Sequence, residues 1–337
     1  RPDGRSAPMP RLLFFCPDIP TPTGGIQIIY RHVDLLNAAG IDAVVVHQRP
    51  GFELTWFEHE TKIDYVPSVR IGAADVLVAP EIVAHEIVPQ MRGVAKVILN
   101  QNPYYTFNPY SVDEPVTETV YEDPDLLGVV VVSEDSRDYI TYAFPHVTVR
   151  RIWYSIDPKL FYPEPDRAWR IAFMPRKNSQ DVRQVLHLLA ARGVLDGIEL
   201  LALNDLPRSE VARALRQTLM FLSFGYPEGF GLPAAEAMAC SCVTVGYHGL
   251  GGAVFLAPPH AFPVAFGDIA GYARVVERLL GELRAAPVPL LAQPEGAAAF
   301  IAETYSEEHE RESVIACWSS FLAEASKAQS AKKRLPR

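Results

Sequence analysis

The sequence predicts an α/β fold with two doubly wound domains, each built on a mainly parallel sheet. Continuously apolar segments of strand length alternate with segments whose apolar residues recur at helical spacing. This alternation stops once, in a segment rich in proline and charge, and then begins again. A chain of 337 residues is also longer than one ordinary hydrophobic core accommodates. Because apolar strands of this kind are typical of sheets covered by helices on both faces, we expect two such sheets.

The first half of the chain begins with the apolar run LLFFC, which indicates a buried strand. Gly24 and Gly25 follow in a turn, and the next apolar residues have helical spacing until Gly40 ends the helix. A later helix is expected to begin after Ser133, whose hydroxyl can cap it and which two acidic residues follow. Further strands are predicted at 43–47, 74–80, 95–100 and 128–133.

The segment 156–168 contains three prolines and several charges, and it is the predicted linker between the domains. The first domain is therefore predicted to span 1–155 and the second 169–325, followed by a basic tail at 326–337. A final helix at 306–325 is expected to pack back on the first domain. Strands of the second domain are predicted at 169–174, 198–203, 219–223 and 242–246. Its helices are predicted at about 180–192, 209–217, 233–240 and 268–283.

Composition excludes some classes of protein. The net charge of -9 argues against a nucleic-acid partner, and no apolar stretch approaches the length of a membrane-spanning helix. The opening ten residues lack the apolar segment of a secretory signal, so the expected location is the cytoplasm. A local Lys and Arg patch could still give peripheral contact with the inner face of the membrane, and this stays open. The four scattered cysteines are expected to be structural thiols, with no disulfide and no metal site.

The stretch 223–252 is the most informative part of the sequence. It places Glu228 in a glycine-rich loop after a predicted strand and Glu236, with seven residues between them, in the first turn of the next helix. Pro233 suits the start of that helix. Arg176 and Lys177 follow the first strand of the second domain, at the sheet edge where ligands bind. Taken alone, the two Glu and the basic pair could be solvated surface charges.

The segment EGFGLPAAEAMA, together with Gly24-Gly25, VVVVSEDSRDYI, SIDPKLFYP and MPRK, resembles the family 4 retaining glycosyltransferases, whose hallmark is E-x7-E. The resemblance implies a GT-B fold of two Rossmann-like domains facing each other across a cleft. It also implies a nucleotide diphosphate-sugar donor held mainly by the second domain. In that family the second Glu of the motif, here Glu236, binds the ribose hydroxyls, and the first, here Glu228, touches the donor sugar. Arg176 and Lys177 match the residues that stabilise the departing diphosphate in place of a metal ion.

The resemblance extends to further candidate contacts. Many relatives have a His at the end of a first-domain strand where this chain has LNQN, so Gln101 or Asn102 would substitute there. Neither amide is a base near neutral pH, which fits a mechanism in which the departing phosphate takes the acceptor proton. Donor contacts are expected at Gly24, Gly25, Gly229, Phe230, Gly231 and Leu232. Acceptor or sugar contacts are expected at Asp18, Gln101, Asn102 and Tyr104.

Together these observations predict a metal-independent retaining glycosyltransferase without a cofactor, which moves a sugar from a nucleotide diphosphate-sugar to a hydroxyl acceptor. The acceptor could be a polysaccharide, a glycolipid or a natural product. Two alternatives remain open: another GT-B enzyme such as a nucleotide-sugar 2-epimerase, and a non-catalytic GT-B-like protein that binds a nucleotide sugar. The donor sugar, the nucleotide base and the oligomeric state are not encoded in any recognisable pattern.

Overall fold

The structure is a computed structural model that describes residues 10–113, 116 and 118–334. The opening residues 1–9 and the last three residues of the predicted tail lie outside the described part. The chain divides into two compact units. The first unit comprises the chain up to Trp153 together with the residues from Arg311 onward, and the second is Tyr154–Glu310. The chain therefore leaves the first unit once and returns to it.

The first unit contains a seven-stranded parallel sheet in the order β3-β2-β1-β4-β5-β6-β7. Its strands are β1 (Leu12–Phe15), β2 (Ala43–His47), β3 (Ile63–Tyr65), β4 (Val76–Pro80), β5 (Ala95–Asn100), β6 (Leu126–Val131) and β7 (Val149–Arg151). Its first helices are α1 (Gly24–Ala38), α2 (Glu81–Ile87) and α3 (Glu134–Ala143). Leu12, Leu13 and Phe14 of β1 have no exposed surface, because β2 and β4 flank this strand. Ser133 caps α3 as predicted.

The second unit contains a five-stranded parallel sheet in the order β12-β11-β10-β8-β9. Its strands are β8 (Ala168–Phe173), β9 (Glu199–Ala202), β10 (Thr218–Ser223), β11 (Val243–Gly246) and β12 (Phe262–Pro263). The remaining helices in chain order are α4 (Ser179–Ala191), α5 (Arg208–Arg216), α6 (Leu232–Ala239), α7 (Ile269–Ala285), α8 (Pro287–Thr304) and α9 (Glu307–Arg334). The predicted α/β class with parallel sheets is confirmed. In the described part of the chain, no helix is both long and apolar enough to cross a membrane.

Helix α9 supplies part of the core of the first unit. Trp318 is fully buried, and its ring centroid lies 4.9 Å from that of Phe14 in β1. Phe321 packs so closely on β6 that a Cβ at Gly128 would lie 2.9 Å from its ring. Farther along the helix, Glu324 pairs with Arg150 at 2.6 Å. The helix also extends past the predicted end at 325 to Arg334, through residues that were predicted to form a tail.

Each sheet has a point at which the strand order reverses. In the second unit, β9 lies on one side of β8 and β10 lies on the other. The loops that leave β8 and β10 therefore start from the carboxyl ends of neighbouring strands. In open parallel sheets this switch point is where ligands bind, and the two loops carry Arg176, Lys177 and Glu228.

Candidate active site

The loop that carries Glu228 is fixed by backbone pairing with a second glycine-rich loop. The Glu228 N–H donates to the Gly249 carbonyl at 2.7 Å, and the Gly251 N–H donates to the Glu228 carbonyl at 3.1 Å. The two backbones approach so closely that a Cβ on Gly251 would clash with the Gly229 carbonyl. Gly231 then adopts a left-handed conformation, with φ of 93°, immediately before α6. Gly251 is therefore required by packing between the loops and Gly231 by its backbone conformation, whatever the ligand.

A pocket, called here the strand-edge pocket, opens at the carboxyl ends of β8, β10 and β11. Its lining includes Arg176, Lys177, Gly225, Glu228, Gly231 and His248. The predicted basic pair and the predicted sugar-binding carboxylate therefore line one concavity within the second unit. Such a combination of a pocket with convergent charged groups is typical of a ligand site.

Lys177 and Glu228 form an ion pair in this pocket. Lys177 Nζ lies 2.7 Å from Glu228 Oε1 and 3.3 Å from the Pro227 carbonyl. The Lys177 side chain is 32% exposed and that of Glu228 is 22% exposed, so both keep access to solvent and to a ligand. Arg176 is more exposed and lines the same pocket. The arrangement places two cations and one carboxylate where a polar, anionic ligand can meet them.

Asn178 joins the two loops of the pocket. Its side-chain amide donates to the carbonyls of Phe224 at 2.7 Å and Tyr226 at 3.1 Å. The residue itself is left-handed, with φ of 51°, a conformation that Asn tolerates better than most side chains. Sequence reasoning missed this residue, although an Asn directly after the basic pair and before a helix was a usable signal.

Glu236 lies in a different environment from the one predicted. It is the fifth residue of α6, beyond the first turn, so the free N–H groups of the helix start are not its partners. It is 7% exposed, and Arg208 at the start of α5 donates to its Oε1 from Nε at 3.2 Å and Nη2 at 3.1 Å. Burial raises the pKa of the Glu236 carboxyl above its usual range, and the Arg208 guanidinium opposes that rise. Glu236 is not among the residues that line the strand-edge pocket.

Phe230 and Leu232 flank Gly231 in the predicted donor segment. The Phe230 side chain is 4% exposed, and its ring packs against Tyr154, Phe255 and Tyr305 at centroid distances of 5.2–5.3 Å. Leu232 is half-buried as the first residue of α6. The ring of Phe230 thus belongs to an aromatic cluster that holds this loop.

In the first unit, Gly24 and Gly25 are the first two residues of α1, at the edge where β1 ends. The Gln101 side-chain amide donates to the Gly25 carbonyl at 3.0 Å, and a Cβ on Gly25 would lie 3.3 Å from that amide. The structure therefore brings together three residues that the sequence singled out separately. They lie near the switch point between β1 and β4.

A buried carboxylate holds the loop that carries Gln101. Glu81 accepts the backbone N–H of Gln101 at 3.1 Å with one oxygen and that of Asn102 at 3.0 Å with the other. Burial raises its pKa to about 7, although these hydrogen bonds act in the opposite direction. Sequence reasoning missed Glu81, because a Glu at the start of a helix is ordinary. The Asn102 side chain accepts the Tyr104 N–H, and the Tyr104 hydroxyl donates to Asp135 at 2.7 Å.

Asp18, a predicted acceptor contact, is engaged with the end of β2. Its carboxylate lies 2.9 Å from His47 Nδ1 and accepts the backbone N–H groups of Gln48 and Arg49. The Arg49 side chain adds a contact at 3.1 Å. Burial would raise the pKa of Asp18, but the hydrogen bonds from Arg49, Gln48 and His47 together lower it. Asp18 thereby anchors the segment between β1 and α1.

The four cysteines are free and buried, as the sequence predicts. Among the residues that the structure describes, no group of three or more His, Cys, Asp or Glu side chains could hold a metal ion.

The fold and these sites can be compared with known proteins. No protein-family model matches the chain. The alpha-1,6-glucosyltransferase of Actinobacillus pleuropneumoniae serotype 7 (strain AP76) is 26% identical over 238 residues, which cover 67% of this chain and 69% of that protein. The structure of sucrose-phosphate synthase from Thermosynechococcus elongatus superposes with a TM-score of 0.68 at 13% identity, covering 94% of this chain and 100% of that chain. Anabaena Alr3699/HepE in complex with UDP and glucose gives a TM-score of 0.67 at 13% identity, covering 93% and 99%.

The likeness to these solved structures shows a GT-B fold with two Rossmann-like domains, as the sequence resemblance implied. The relative by sequence and the neighbours by structure together support the class of glycosyltransferases.

Proposed function

We propose that this chain is a retaining glycosyltransferase of the family 4 type, which transfers a sugar from a nucleoside diphosphate-sugar to a hydroxyl acceptor. The observation that carries the proposal is the strand-edge pocket, in which Lys177 and Glu228 lie 2.7 Å apart beside Arg176. A cationic pair suits a diphosphate, and a carboxylate suits the hydroxyls of a sugar. The pocket thus contains cations for the diphosphate of such a donor and a carboxylate for its sugar.

The diphosphate is the leaving group, and its negative charge grows as the bond to the sugar breaks. Lys177 and Arg176 stabilise that charge, and this role requires no bound metal ion. Lys177 serves as a compact point charge that exchanges partners, whereas Arg176 is permanently charged and offers a planar set of donors. We assign both residues to the diphosphate, with Lys177 nearer the sugar because it already contacts Glu228.

Glu228 binds hydroxyls of the donor sugar, and Glu236 binds the ribose hydroxyls of the nucleotide. Each carboxylate can accept two hydroxyl donors in charge-assisted hydrogen bonds. Glu236 does not itself line the strand-edge pocket, but it lies on α6, whose first turn contributes Pro233 and Ala234 to that lining.

Retention follows if the acceptor attacks the face that the diphosphate leaves. The bond between the anomeric carbon and the diphosphate oxygen breaks, and a bond from that carbon to the acceptor oxygen forms. The acceptor proton passes to the departing diphosphate oxygen, so the reaction needs no protein base. This fits the presence of Gln101 at the strand end in the first unit, since an amide cannot take a proton near neutral pH.

We assign the acceptor side to the first unit. Gly24 and Gly25 remain donor contacts in this proposal, because the backbone N–H groups at the start of α1 favour an anionic group such as the diphosphate, and the Gln101 amide donates to the Gly25 carbonyl. Asp18, Asn102 and Tyr104 shape the adjoining loops through their hydrogen bonds. A polysaccharide, a glycolipid or a natural product with a free hydroxyl could serve as acceptor.

UDP-glucose is the first donor to test, because another structure of the same Anabaena protein is a complex with UDP-glucose and glucose is the sugar that the bacterial relative is named for. The proposal expects a rise in melting temperature with UDP and UDP-glucose, and transfer to an acceptor panel in the presence of a chelator. Proton NMR of the fresh product should show the anomeric configuration of the donor. An inverted product would overturn retention, and a requirement for added divalent metal would overturn metal independence.

Variants of the pocket test the site separately from the activity. Folded Glu228→Ala and Glu236→Ala proteins that kept full transfer would overturn the site. Epimerisation or hydrolysis of the donor without any acceptor would instead favour the 2-epimerase alternative. Binding of UDP without turnover across the whole acceptor panel would favour a non-catalytic binding protein.

A further inference from the structure

Arg208 makes an unusual contact with the buried carboxylate of α6. Its Nε and Nη2 atoms both donate to Oε1 of Glu236, at 3.2 Å and 3.1 Å. Among the residues that the structure describes, none donates a hydrogen bond to Oε2. A guanidinium more commonly grips both oxygens of a carboxylate at once. Because Arg208 binds only Oε1, Oε2 of Glu236 can still accept hydrogen bonds from a ligand.

The surroundings explain why Glu236 needs this partner. Helix α6 is built from small and apolar residues, and its residues Ala235, Ala237 and Met238 are fully buried. A charge in such a place is strongly unfavourable unless it is paired. The Glu236 side chain nevertheless retains 9% exposure, and the Arg208 side chain retains 32%. The carboxylate is therefore mostly buried, while the pair as a whole keeps access to solvent.

Arg208 is itself held in place. Its guanidinium carbon lies 5.2 Å from the centroid of the Phe161 ring, within the range of a cation–π contact. It is also the first residue of α5, directly after Pro207. A guanidinium held by a ring on one side and by one carboxylate oxygen on the other has little freedom to follow a ligand. Its position is thus set before any nucleotide arrives.

We propose that Arg208 is the positioning residue of the ribose site, which holds Oε1 of Glu236 so that Oε2 accepts the 2′- and 3′-hydroxyls of the nucleotide. This inference rests on the proposed function of Glu236. It makes Arg208 the residue on which preference for ribonucleotides over deoxynucleotides depends. Arg208 acts through Glu236, and no direct contact with the nucleotide is required.

The electrostatics agree with this role. The charged groups that act on Glu236 are Arg208, which favours the ionised carboxylate, and Asp157, which opposes it. Burial also raises the pKa of Glu236, so the removal of Arg208 leaves two effects that favour the protonated acid. A protonated carboxyl has lost part of its capacity to accept hydroxyl donors. Loss of Arg208 should therefore weaken ribose recognition most at low pH.

Calorimetric titration with UDP and 2′-deoxy-UDP tests the proposal. Wild-type protein should prefer UDP by at least about tenfold, the usual worth of a hydrogen bond to a charged group. Arg208→Met should reduce that preference to about onefold to twofold, with a larger loss of UDP affinity at pH 6 than at pH 8. Arg208→Lys, which keeps the charge but not the paired donors, should be intermediate. Arg213→Met is the matched control, because Arg213 lies on the same helix with its side chain 67% exposed.

The outcomes separate the inference from the proposed function. A wild-type protein that binds no nucleoside diphosphate overturns both. A wild-type protein that prefers UDP, together with folded Arg208→Met and Arg208→Lys variants that keep the full preference at both pH values, overturns the inference alone. If Arg208→Met unfolds, Arg208→Lys and Glu236→Gln decide. Glu236→Gln should remove the preference by itself, and adding Arg208→Lys to it should change the preference no further.

Discussion

The ion pair between Lys177 and Glu228 predicts opposite effects of one substitution on two ligands. In the free site, Glu228 neutralises the lysine that the diphosphate requires, at a distance of 2.7 Å. A free nucleoside diphosphate must therefore compete with Glu228 for Lys177 and approach a carboxylate of like charge. Glu228→Gln removes both obstacles but also removes the charged acceptor of the sugar hydroxyls. UDP should bind more tightly to the variant, while transfer from UDP-glucose should slow.

The exposure of the pair sets the size of these effects. With the two side chains 32% and 22% exposed, water screens the pair, and its net worth is about 1 kcal/mol, near the upper end for surface pairs. Release of that energy corresponds to about fivefold tighter UDP binding. Lost hydrogen bonds to a charged group cost about 1.5–3 kcal/mol, so kcat/KM should fall by roughly 10-fold to 150-fold.

Calorimetric titration with UDP and initial rates with UDP-glucose measure the two effects. Glu199→Gln is the matched control, because Glu199 forms a comparable pair with Arg170 at 2.8 Å and does not line the strand-edge pocket. It should leave both quantities unchanged. Weaker or unchanged UDP binding by folded Glu228→Gln would refute the competition for Lys177. An unchanged transfer rate would refute the contact between Glu228 and the donor sugar.

Three further substitutions test other parts of the molecule. Lys177→Met should weaken UDP binding by about tenfold or more in calorimetry through loss of a charge-assisted contact, and undiminished binding would contradict the diphosphate role. Gly251→Ala should lower the melting temperature, because the added Cβ would clash with the Gly229 carbonyl. Gly281→Ala is the control, because Gly281 faces open space in α7, and it should raise the melting temperature slightly. Equal effects of the two substitutions would contradict the packing argument. Glu81 keeps its proton in the folded chain up to a pH of about 7, whereas the unfolded chain releases it near 4.5. The Glu81 contribution to stability should therefore fall by roughly 3 kcal/mol as pH rises between these values. Stability measured against pH should show this difference between wild-type protein and Glu81→Gln, and equal slopes for the two proteins would count against it.

Much of the fold follows from local patterns in the sequence. Apolar runs located β1, β10 and their neighbours, because a strand buried on both faces can hardly be anything but apolar. The predicted end of the last helix, at residue 325, was wrong because that prediction also used local composition alone. Residues 326–334 are mostly small or polar and resemble a solvated tail, yet they continue the helix. Their helicity depends on the turns before them, which are fixed by the buried Trp318.

The site residues divide in a similar way. Lys177 and Glu228 could each be placed at the end of a strand from the sequence, whereas the structure shows that these two strands are neighbours. The contact between Arg208 and Glu236 could not be predicted, because Arg208 lies 28 positions before Glu236 and only the folded second unit brings the two together. Glu81 was equally hidden, because its two acceptor bonds go to backbone N–H groups, which carry no sequence signature. Side chains that organise a site through other residues are the ones that a single sequence reveals least.

The return of the chain to its first unit has a consequence for biosynthesis. The residue that fills the space beside Phe14, Trp318, is translated only after the whole second unit has been made. During synthesis, part of the apolar surface of the first sheet, near β1 and β6, therefore stays exposed until the second unit has been synthesised and α9 follows it. Proteolytic removal of residues 311–334 should expose the same surface in the mature protein. The first unit is thus begun before the second unit is synthesised and completed only after it.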